Sequence, residues 1–346
     1  MFDQYREPLQ KYLQTYLKAQ EKKYSNVNGW SKDSLTRLST FATSGKLLRG
    51  SFILFIADAL TKNKTKDHTK ILPAAAAVEL FHSSILIHDD IIDRDSLRRG
   101  RKTIHTQYSD NAPSSTDAAH YGTSQAICTA DAGFFLAFEL LSSNPSTAKA
   151  LSLFSQEITK TIFAEMEDVH FAMSPQFPTQ QAIEKMYLYK TARYTFSLPF
   201  QVGAVIANAN PKTRKQLEKL GETLGLLFQL KDDELGLFGN PQKTGKPVSS
   251  DLREGKKTLY MYLLLQKATV TERKTISTIF GNKRCSPQEI TYIQRLIQYK
   301  GIDHLITKRM QELSNKAYTQ INHLPLSQQH KQTLYTLNQY LLTRES

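Results

Sequence analysis

The stretch "ELFHSSILIHDDIIDRDSLRRG", residues 79–100, joins a strongly apolar segment to four aspartates and three arginines. If the apolar part is a helix, Asp89 and Asp93 are four residues apart and share one face, with Asp90 beside them. Two like charges at that spacing repel by about 3 kcal/mol, for an effective dielectric of ~20 and a ~5 Å separation. A chain tolerates this at a fully solvated helix end, or where a cation lies between the carboxylates. Magnesium suits such an all-oxygen site, because it keeps water ligands and accepts substrate phosphates.

A second acidic pair repeats the pattern. In "FQLKDDELGLFG", residues 228–239, Asp232 and Asp233 again follow an apolar helical segment, and Gln229 lies one turn before Asp233. Taken alone, this pair is also explained by a solvated helix end. Two such pairs in one chain favour a single divalent-metal site, in which the two helix ends face each other across a cavity.

Basic residues accompany both acidic pairs. Lysine and arginine donors bind phosphate oxygens well. Carboxylates bind phosphate only through a metal, so the two sets together predict one phosphate group held by metal and another held by cations. The basic residues in question are Lys46, Arg49, Arg98, Arg99, Lys190 (beside Thr191), Lys246, Lys256 and Lys257.

Apolar residues recur at helical spacing along most of the 346 residues, and the chain has only 15 glycines and 12 prolines. This pattern predicts a soluble, all-α chain that folds as a single domain. Polar loops are expected at 98–120 and 238–258. Helices are expected at 5–24, 31–44, 46–61, 70–93, 122–143, 147–173, 179–208, 211–238 and 257–267, with two or three more within 287–343.

The remaining features place the protein in the cytoplasm. The N-terminus is charged from residue 3, unlike a signal peptide. The apolar segment 71–88 contains Glu79 and two histidines and is expected to be a buried helix, so no transmembrane segment is predicted. Cys128 and Cys285 are expected to be free thiols. The net charge of +13 fits a solvated basic surface, nucleic acid, anionic lipid or a phosphorylated substrate, but no nucleic-acid motif is present.

Between about residues 42 and 265 the chain resembles the trans-isoprenyl diphosphate synthases, or polyprenyl synthetases. The similarity implies an all-α helical bundle of the isoprenoid synthase type with a central substrate cavity, spanning 1–346 and assembled as a homodimer. The C-terminal helices, 287–343, lie beyond the motif-bearing core. The motifs occur in the family's order: "GKLLRG", "ELFHSSILIHDDIIDRDSLRRG", "HYGTSQAICTAD", "YKT" and "FQLKDDELGLFG…GKPVSSDLREGKKTL".

The resemblance implies that an allylic diphosphate ionises, isopentenyl diphosphate attacks the carbocation, and proton loss leaves a chain five carbons longer. Asp89 and Asp93 would hold two magnesium ions and Asp232 a third. Asp90 and Asp233 would support these ligands. Arg98, Lys190 and Lys256 would clamp the allylic diphosphate, and Gln229 and Thr191 would line the reacting region. Isopentenyl diphosphate would be bound by Lys46, Arg49, His82 and Arg99, with Lys246 as a further substrate-binding candidate.

Two positions depart from the family pattern. The second motif usually ends in a third aspartate, where this chain has Gly236, and a Gly-Asp pair is common where it has Ala130–Asp131. His82 also has two interpretations. A lone histidine on an apolar helix is often a core residue, but its place two turns before Asp89 favours ligand binding.

The expected product is the twenty-carbon geranylgeranyl diphosphate. Ile85 lies one turn below Asp89, and Ser84 occupies the position where shorter-chain relatives carry a bulky aromatic residue. Phe81, a further turn down, is expected to floor the tunnel, since each turn deepens it by ~5.4 Å. Phe134 and Phe135, on a facing helix, could set the floor instead.

Other functions remain open at this stage. The chain could be a farnesyl or a longer polyprenyl diphosphate synthase. It could also be a non-catalytic partner subunit of a heteromeric synthase, although the retained acids and cations argue against that. In a terpene cyclase, which uses no isopentenyl diphosphate, Lys46, Arg49 and Arg99 would have no task.

Overall fold

The computed structural model describes residues 2–61, 68–114, 116–239 and 250–345, and helices dominate them. The predicted all-α class is confirmed. The first elements are α1 (Asp3–Tyr24), α2 (Gly29–Thr43), α3 (Leu48–Leu60), α4 (Leu72–Ile92), β1 (Leu97–Arg98), β2 (Arg101–Lys102), α5 (Ile104–Asp110), α6 (Ala118–Ser142), α7 (Pro145–Ala148) and α8 (Leu151–Met173). They are followed by α9 (Gln180–Tyr187), a π-helix (Leu188–Ser197), α10 (Leu198–Ile206), α11 (Pro211–Phe238), α12 (Ser250–Glu254), α13 (Leu259–Lys267), α14 (Val270–Ile279), α15 (Pro287–Tyr299), α16 (Ile302–Asn322) and α17 (Gln328–Thr343).

The chain divides into two compact units. The first unit contains Met1–Leu153 and Pro199–Ala209, and the second contains Phe154–Leu198 and Asn210–Ser346. The single-domain organisation stays a prediction.

Helix α4 is the centre of the first unit. It begins with Pro73 in its first turn, where a proline costs no helical hydrogen bond, and its side chains from 74 to 81 are buried. Small residues let neighbouring helices approach it closely. A Cβ on Gly50 of α3 would lie 2.7 Å from the carbonyl oxygen of Ala75, and a Cβ on Gly133 of α6 would overlap the Ser84 hydroxyl.

Helix α11 is the centre of the second unit and packs against the π-helix, α16 and α17. Its Gly221 and Gly225, four residues apart, face the π-helix so closely that a Cβ at either would overlap the backbone of that helix. The π-helix is also held by Arg193, whose guanidinium bonds to Glu157, Glu218 and Glu222. These contacts fix the segment that carries Lys190 and Thr191.

The structure corrects several predicted boundaries. The expected helix at 147–173 is two helices, α7 and α8, and the expected loop at 238–258 contains α12. The stretch 98–120 is not wholly a loop, because it contains a β-hairpin and α5. The hairpin turns at Arg99 and Gly100, which both have positive φ as tight hairpin turns require. Helix α5 was not predicted because it buries only two residues, Ile104 and Tyr108, which is too few for a helical apolar pattern.

The expected helix at 179–208 is three consecutive segments, since the apolar pattern of a short π-helix within a helical run is too similar to that of an α-helix to reveal it. Helix α14 was not predicted, although its capping box of Thr269 and Glu272 is a recognisable start signal.

Two compartment predictions can be compared with the structure. Cys128 is exposed, Cys285 is buried, and both are free thiols as predicted. Among the described residues one helix, α6, has the length and composition of a membrane span, with mean hydropathy 1.2 in its most apolar window. Because 44% of that window is buried inside the chain and α6 packs along α4, it also has the character of a core helix.

Candidate active site

The first aspartate cluster, Asp89, Asp90 and Asp93, lies at the C-terminal end of α4. Asp90 is fully buried, whereas Asp89 is partly exposed and Asp93 forms the helix C-cap. Arg98 reaches back from the β-hairpin. Its Nε lies 2.5 Å from Asp90 Oδ1, and its Nη2 lies 2.9 Å from Asp89 Oδ2.

The charged form of Asp90 is unfavourable even with Arg98 beside it. Burial raises its pKa to about 6, although the Arg98 guanidinium opposes that shift. Within the described part of the chain, no donor reaches the buried Oδ2 of Asp90. The carboxylate therefore depends on Arg98 and has an oxygen left for a further positive group.

The predicted isopentenyl-binding residues lie together. A cavity of about 330 Å³ is lined by Lys46, Arg49, His82 and Arg99, and also by the acidic Glu79. Burial lowers the pKa of His82 well below its usual range, and the Arg49 and Arg99 guanidinium groups lower it further. A neutral imidazole among three cations is suited to share a phosphate ligand rather than to bind one by charge.

Glu79 also stabilises the start of the helix that carries Arg49. It is buried, and its Oε1 accepts a 2.7 Å hydrogen bond from the backbone N–H of Gly50. This bond fixes the first turn of α3, which carries Arg49.

The second aspartate cluster, Asp232 and Asp233, lies near the end of α11. Asp233 is buried and accepts hydrogen bonds from the Tyr187 hydroxyl and from Gln229 Nε2, the latter at 2.9 Å. Burial raises the pKa of Asp233 well above its usual range, against the lowering effect of the Tyr187 hydroxyl. The neighbouring Asp232 is half-exposed.

Asp232 is held by Arg344, which sequence reasoning did not identify. The Arg344 guanidinium forms an ion pair with Asp232, donates to the carbonyl oxygen of Phe228 at 3.2 Å, and lies 4.2 Å from the centre of the Phe228 ring. The pair joins residues 112 positions apart, and the terminal "LLTRES" carries no pattern that points to it.

Lys190 and Thr191 are neighbours on the π-helix, and their side chains have different partners. Lys190 Nζ lies 2.8 Å from Glu165 and 2.5 Å from Asp168, two acids of α8. The Thr191 hydroxyl donates to Gln229 Oε1 at 2.7 Å. The structure thus joins Thr191 and Gln229 by a hydrogen bond, and it adds Glu165 and Asp168, whose spacing of three on a helix was the available signal.

The cations after the second cluster separate into different roles. Lys256 lies 3.2 Å from Glu254 and 3.9 Å from Asp251. Lys257 is largely buried and donates to the carbonyl oxygens of Ser174 and Gln176, which is a structural anchor. Lys246 lies outside the described residues.

Both departures from the family pattern have a packing context. At Gly236 a Cβ would overlap the carboxylate of Asp251, so this glycine makes room for an acid that lies fifteen positions later. Ala130 is fully buried within α6, and Asp131 lies 3.5 Å from His88 Nε2.

The proposed chain-length residues meet α6. The centre of the Phe81 ring lies 4.6 Å from the centre of the Phe134 ring and 5.7 Å from the centre of the Phe138 ring. Ser84 is fully buried against Gly133, so its small side chain makes room for a helix backbone. Ile85 is partly buried. Phe135 is 75% exposed, so of the two expected alternatives on α6, Phe134 and Phe135, it is Phe134 that contacts Phe81.

Comparisons with known proteins agree on one family. A family model described as polyprenyl synthetase matches residues 33–297. The chain is 35% identical to a short chain isoprenyl diphosphate synthase of Methanocaldococcus jannaschii, over 66% of this chain and just under two thirds (65%) of that protein. It is 31% identical to a geranylgeranyl diphosphate synthase of Sulfolobus acidocaldarius, over 76% of each chain. Among solved structures, a geranylgeranyl pyrophosphate synthase from Corynebacterium glutamicum, complexed with isoprenyl diphosphate and magnesium, is 28% identical, with a TM-score of 0.92 over 99% of both chains.

The dependence of Asp90 on Arg98 gives a pH-dependent prediction. Arg98→Ala should lower the free energy of unfolding by about 3 kcal/mol at pH 8, because it leaves a buried carboxylate unpaired. An acid with a raised folded-state pKa binds more protons when folded, so its contribution to stability rises as pH falls below that pKa. Without Arg98 the pKa of Asp90 rises further, and the loss should be clearly smaller at pH 5. Urea unfolding at both pH values measures it.

The matched control is Arg101→Ala on the same hairpin, at an exposed position, which should change stability by less than about 0.5 kcal/mol. An equal loss at pH 8 and pH 5 for Arg98→Ala would show that Asp90 does not take up a proton.

Proposed function

Because the chain belongs to the polyprenyl synthetase family, we propose that it is a trans-prenyltransferase that joins isopentenyl diphosphate 1′-4 to an allylic diphosphate. The observation that carries the proposal is the cavity in which Lys46, Arg49, His82 and Arg99 converge. A cyclase that uses only an allylic diphosphate would have no use for this second cluster of side chains that can bind a diphosphate.

The donor chemistry of the aspartate clusters fits magnesium. Asp89 and Asp93 offer carboxylate oxygens from one helix face, and the uncontacted Oδ2 of Asp90 marks excess negative charge there. Within the described ranges no three acidic, histidine or cysteine side chains converge on one point. An ion held by these aspartates would therefore complete its shell with water and substrate phosphate. We propose that Asp89 and Asp93 hold two ions and Asp232 a third. Bound magnesium would neutralise the diphosphate and so make it a better leaving group.

The allylic diphosphate would be clamped by cations that the protein already holds in place. Arg98 is fixed by Asp89 and Asp90, and Lys190 by Glu165 and Asp168. Lys256 would be the third donor. Held cations need little reorganisation as negative charge develops on the departing diphosphate, which is where electrostatic catalysis is most effective.

The isopentenyl diphosphate would occupy the cavity beside α3 and α4. Its diphosphate would accept hydrogen bonds from Lys46, Arg49 and Arg99, with neutral His82 as a fourth contact. Attack of its double bond on the allylic cation forms the new carbon–carbon bond. This leaves a cation on the isopentenyl unit, and the carbon next to that cation loses a proton to the released diphosphate. Gln229 and Thr191 would line the reacting region.

We propose geranylgeranyl diphosphate as the product. Relatives with that name are among the similar proteins, together with farnesyl and geranylfarnesyl diphosphate synthases. The packing of Phe81 against Phe134 and Phe138 supports an aromatic floor two turns below Asp89. We further propose a cytoplasmic homodimer without a nucleic-acid partner.

The first test incubates the pure protein with magnesium, isopentenyl diphosphate and each allylic primer in turn, and sizes the products. Asp89→Ala and Asp232→Ala should each lower kcat at least about 100-fold while the circular dichroism spectrum stays unchanged, because the leaving group loses its charge stabilisation. Asp110→Ala, an exposed aspartate paired with Lys102, is the control and should keep full activity.

The outcomes separate the alternatives. Product from an allylic diphosphate alone indicates a cyclase, and no product without a second subunit indicates a partner chain. Full activity of either aspartate variant in ordinary magnesium would contradict the assigned metal ligands.

The aromatic floor gives a prediction about product length. Phe81→Ala should lengthen the main product by at least one five-carbon unit, because it removes the ring that blocks the space below Asp89. Phe134→Ala should do the same from the facing helix. Phe163→Ala, an exposed phenylalanine of α8, should leave the product distribution unchanged. If neither Phe81→Ala nor Phe134→Ala moves the distribution, these rings do not set the length.

The dimer prediction can be related to one exposed apolar surface of α6. In "GFFLAFELL", residues 133–141, most apolar side chains are buried within the chain itself, and only Phe135 is a large exposed one. Phe135 lies beside the exposed Val27 on an apolar groove of about 280 Å³. Phe135→Asp should shift the protein from dimer to monomer in light scattering at micromolar concentration, whereas Met173→Asp should not. A wild-type monomer would refute the proposal.

A further inference from the structure

Tyr187 is a buried tyrosine whose hydroxyl joins two different helices of the second unit. It is the last residue of α9, and only 3% of its surface is exposed. Its oxygen accepts a 3.0 Å hydrogen bond from the backbone N–H of Leu259, the first residue of α13. Its hydrogen is donated to Asp233 Oδ2. Both of these partners are buried, so neither can turn to water instead.

The hydrogen bonds continue from Asp233 in a single line. Its other oxygen, Oδ1, accepts from Gln229 Nε2 at 2.9 Å. With Nε2 committed to Asp233, the amide of Gln229 turns its Oε1 to the opposite side, where it accepts the Thr191 hydroxyl at 2.7 Å. The orientation of the amide and the direction of the threonine hydroxyl are therefore set by the carboxylate of Asp233.

We infer that Tyr187 is a positioning residue, which fixes the carboxylate of Asp233 and through it the side chains of Gln229 and Thr191. The inference rests on the proposed function, since Gln229 and Thr191 matter because they line the reacting region. Tyr187 itself touches neither substrate. Without its hydroxyl, Asp233 Oδ2 loses its donor in a buried site and Leu259 loses its acceptor. The carboxylate then no longer has one preferred orientation, and the amide of Gln229 loses its fixed partner.

The test is Tyr187→Phe, which removes one oxygen atom and keeps the ring that fills the core. The turnover number should fall about tenfold or more, as is typical when the partner of a site residue is removed. The KM values for both diphosphates should stay within about twofold, because the residues that clamp them are unchanged. Tyr260→Phe is the matched control. Tyr260 is equally buried and lies on α13, and no hydrogen bond of its hydroxyl to this line is present among the described residues.

A double-mutant cycle separates positioning from a general loss of stability. In a Gln229→Leu background, Tyr187→Phe should cost less than about threefold in kcat, because the route to Thr191 is already cut. A tyrosine that only stabilises the fold would multiply the two losses. Asp233→Asn enters the same line from its middle and should show the same coupling to Gln229.

A crystal structure of Tyr187→Phe gives a readout that does not depend on turnover. The side chains of Asp233 and Gln229 should leave their present orientations, whereas in Tyr260→Phe they should not. Unchanged side chains, unchanged kcat or fully multiplicative losses would each overturn the inference. An inactive wild-type protein would instead count against the proposed reaction, and the crystal structure would still decide the role of Tyr187.

Discussion

The C-terminal end of α4 buries the carboxylate of Asp90 beside those of Asp89 and Asp93. The structure around it must therefore supply positive charge to a buried acid. Asp90 has no solvent exposure, so its charge has to be matched from within the chain. Arg98 does this with a hydrogen bond to Asp90, and it donates a second hydrogen bond to Asp89. For Arg98 to point back at α4, the chain must reverse direction directly after it. The hairpin turn at Arg99 and Gly100, both with positive φ, provides that reversal and brings Arg99 to the basic cavity.

The second unit meets a similar constraint with different groups. Asp233 is buried like Asp90, but its partners are the neutral Tyr187 and Gln229, while the cation Arg344 contacts the exposed Asp232. Neutral donors with fixed hydrogen-bond directions give precise orientation. Asp232 instead keeps a half-exposed carboxylate, although the side chain of its partner Arg344 is largely buried. The buried acid of the second cluster is therefore suited to hold neighbouring side chains in place, and the exposed acid to meet a ligand.

The parts of this site that were predictable from sequence are those encoded by short spacing. The shared face of Asp89 and Asp93 and the turn between Gln229 and Asp233 follow from helical geometry. Lys46 lies before the first residue of α3, so its place beside Arg49 does not follow from a helical spacing. The contacts that were missed join distant parts of the chain. Tyr187 meets Asp233 across 46 positions, Lys190 meets Asp168 across 22, and Arg344 meets Asp232 across 112. No local period encodes such pairs, because they depend on how helices pack, and the short π-helix that carries Lys190 is not distinguished from an α-helix by its apolar pattern.

Gly236 shows how packing can change the meaning of a departure from a motif. As a sequence feature it is a missing carboxylate at the end of the second aspartate motif. In the folded chain its lack of a side chain is what lets the carboxylate of Asp251 lie against α11, because a Cβ at 236 would overlap it. Burial is the main cause of the raised pKa of Asp233, and the hydrogen bond from Tyr187 lowers that pKa. The negative charge of Asp251 is close enough to raise it further. Negative charge beside the second cluster is thus retained, but it comes from α12 rather than from α11. An aspartate at position 236 would have to displace Asp251, so the glycine and the later acid are best understood as one structural unit.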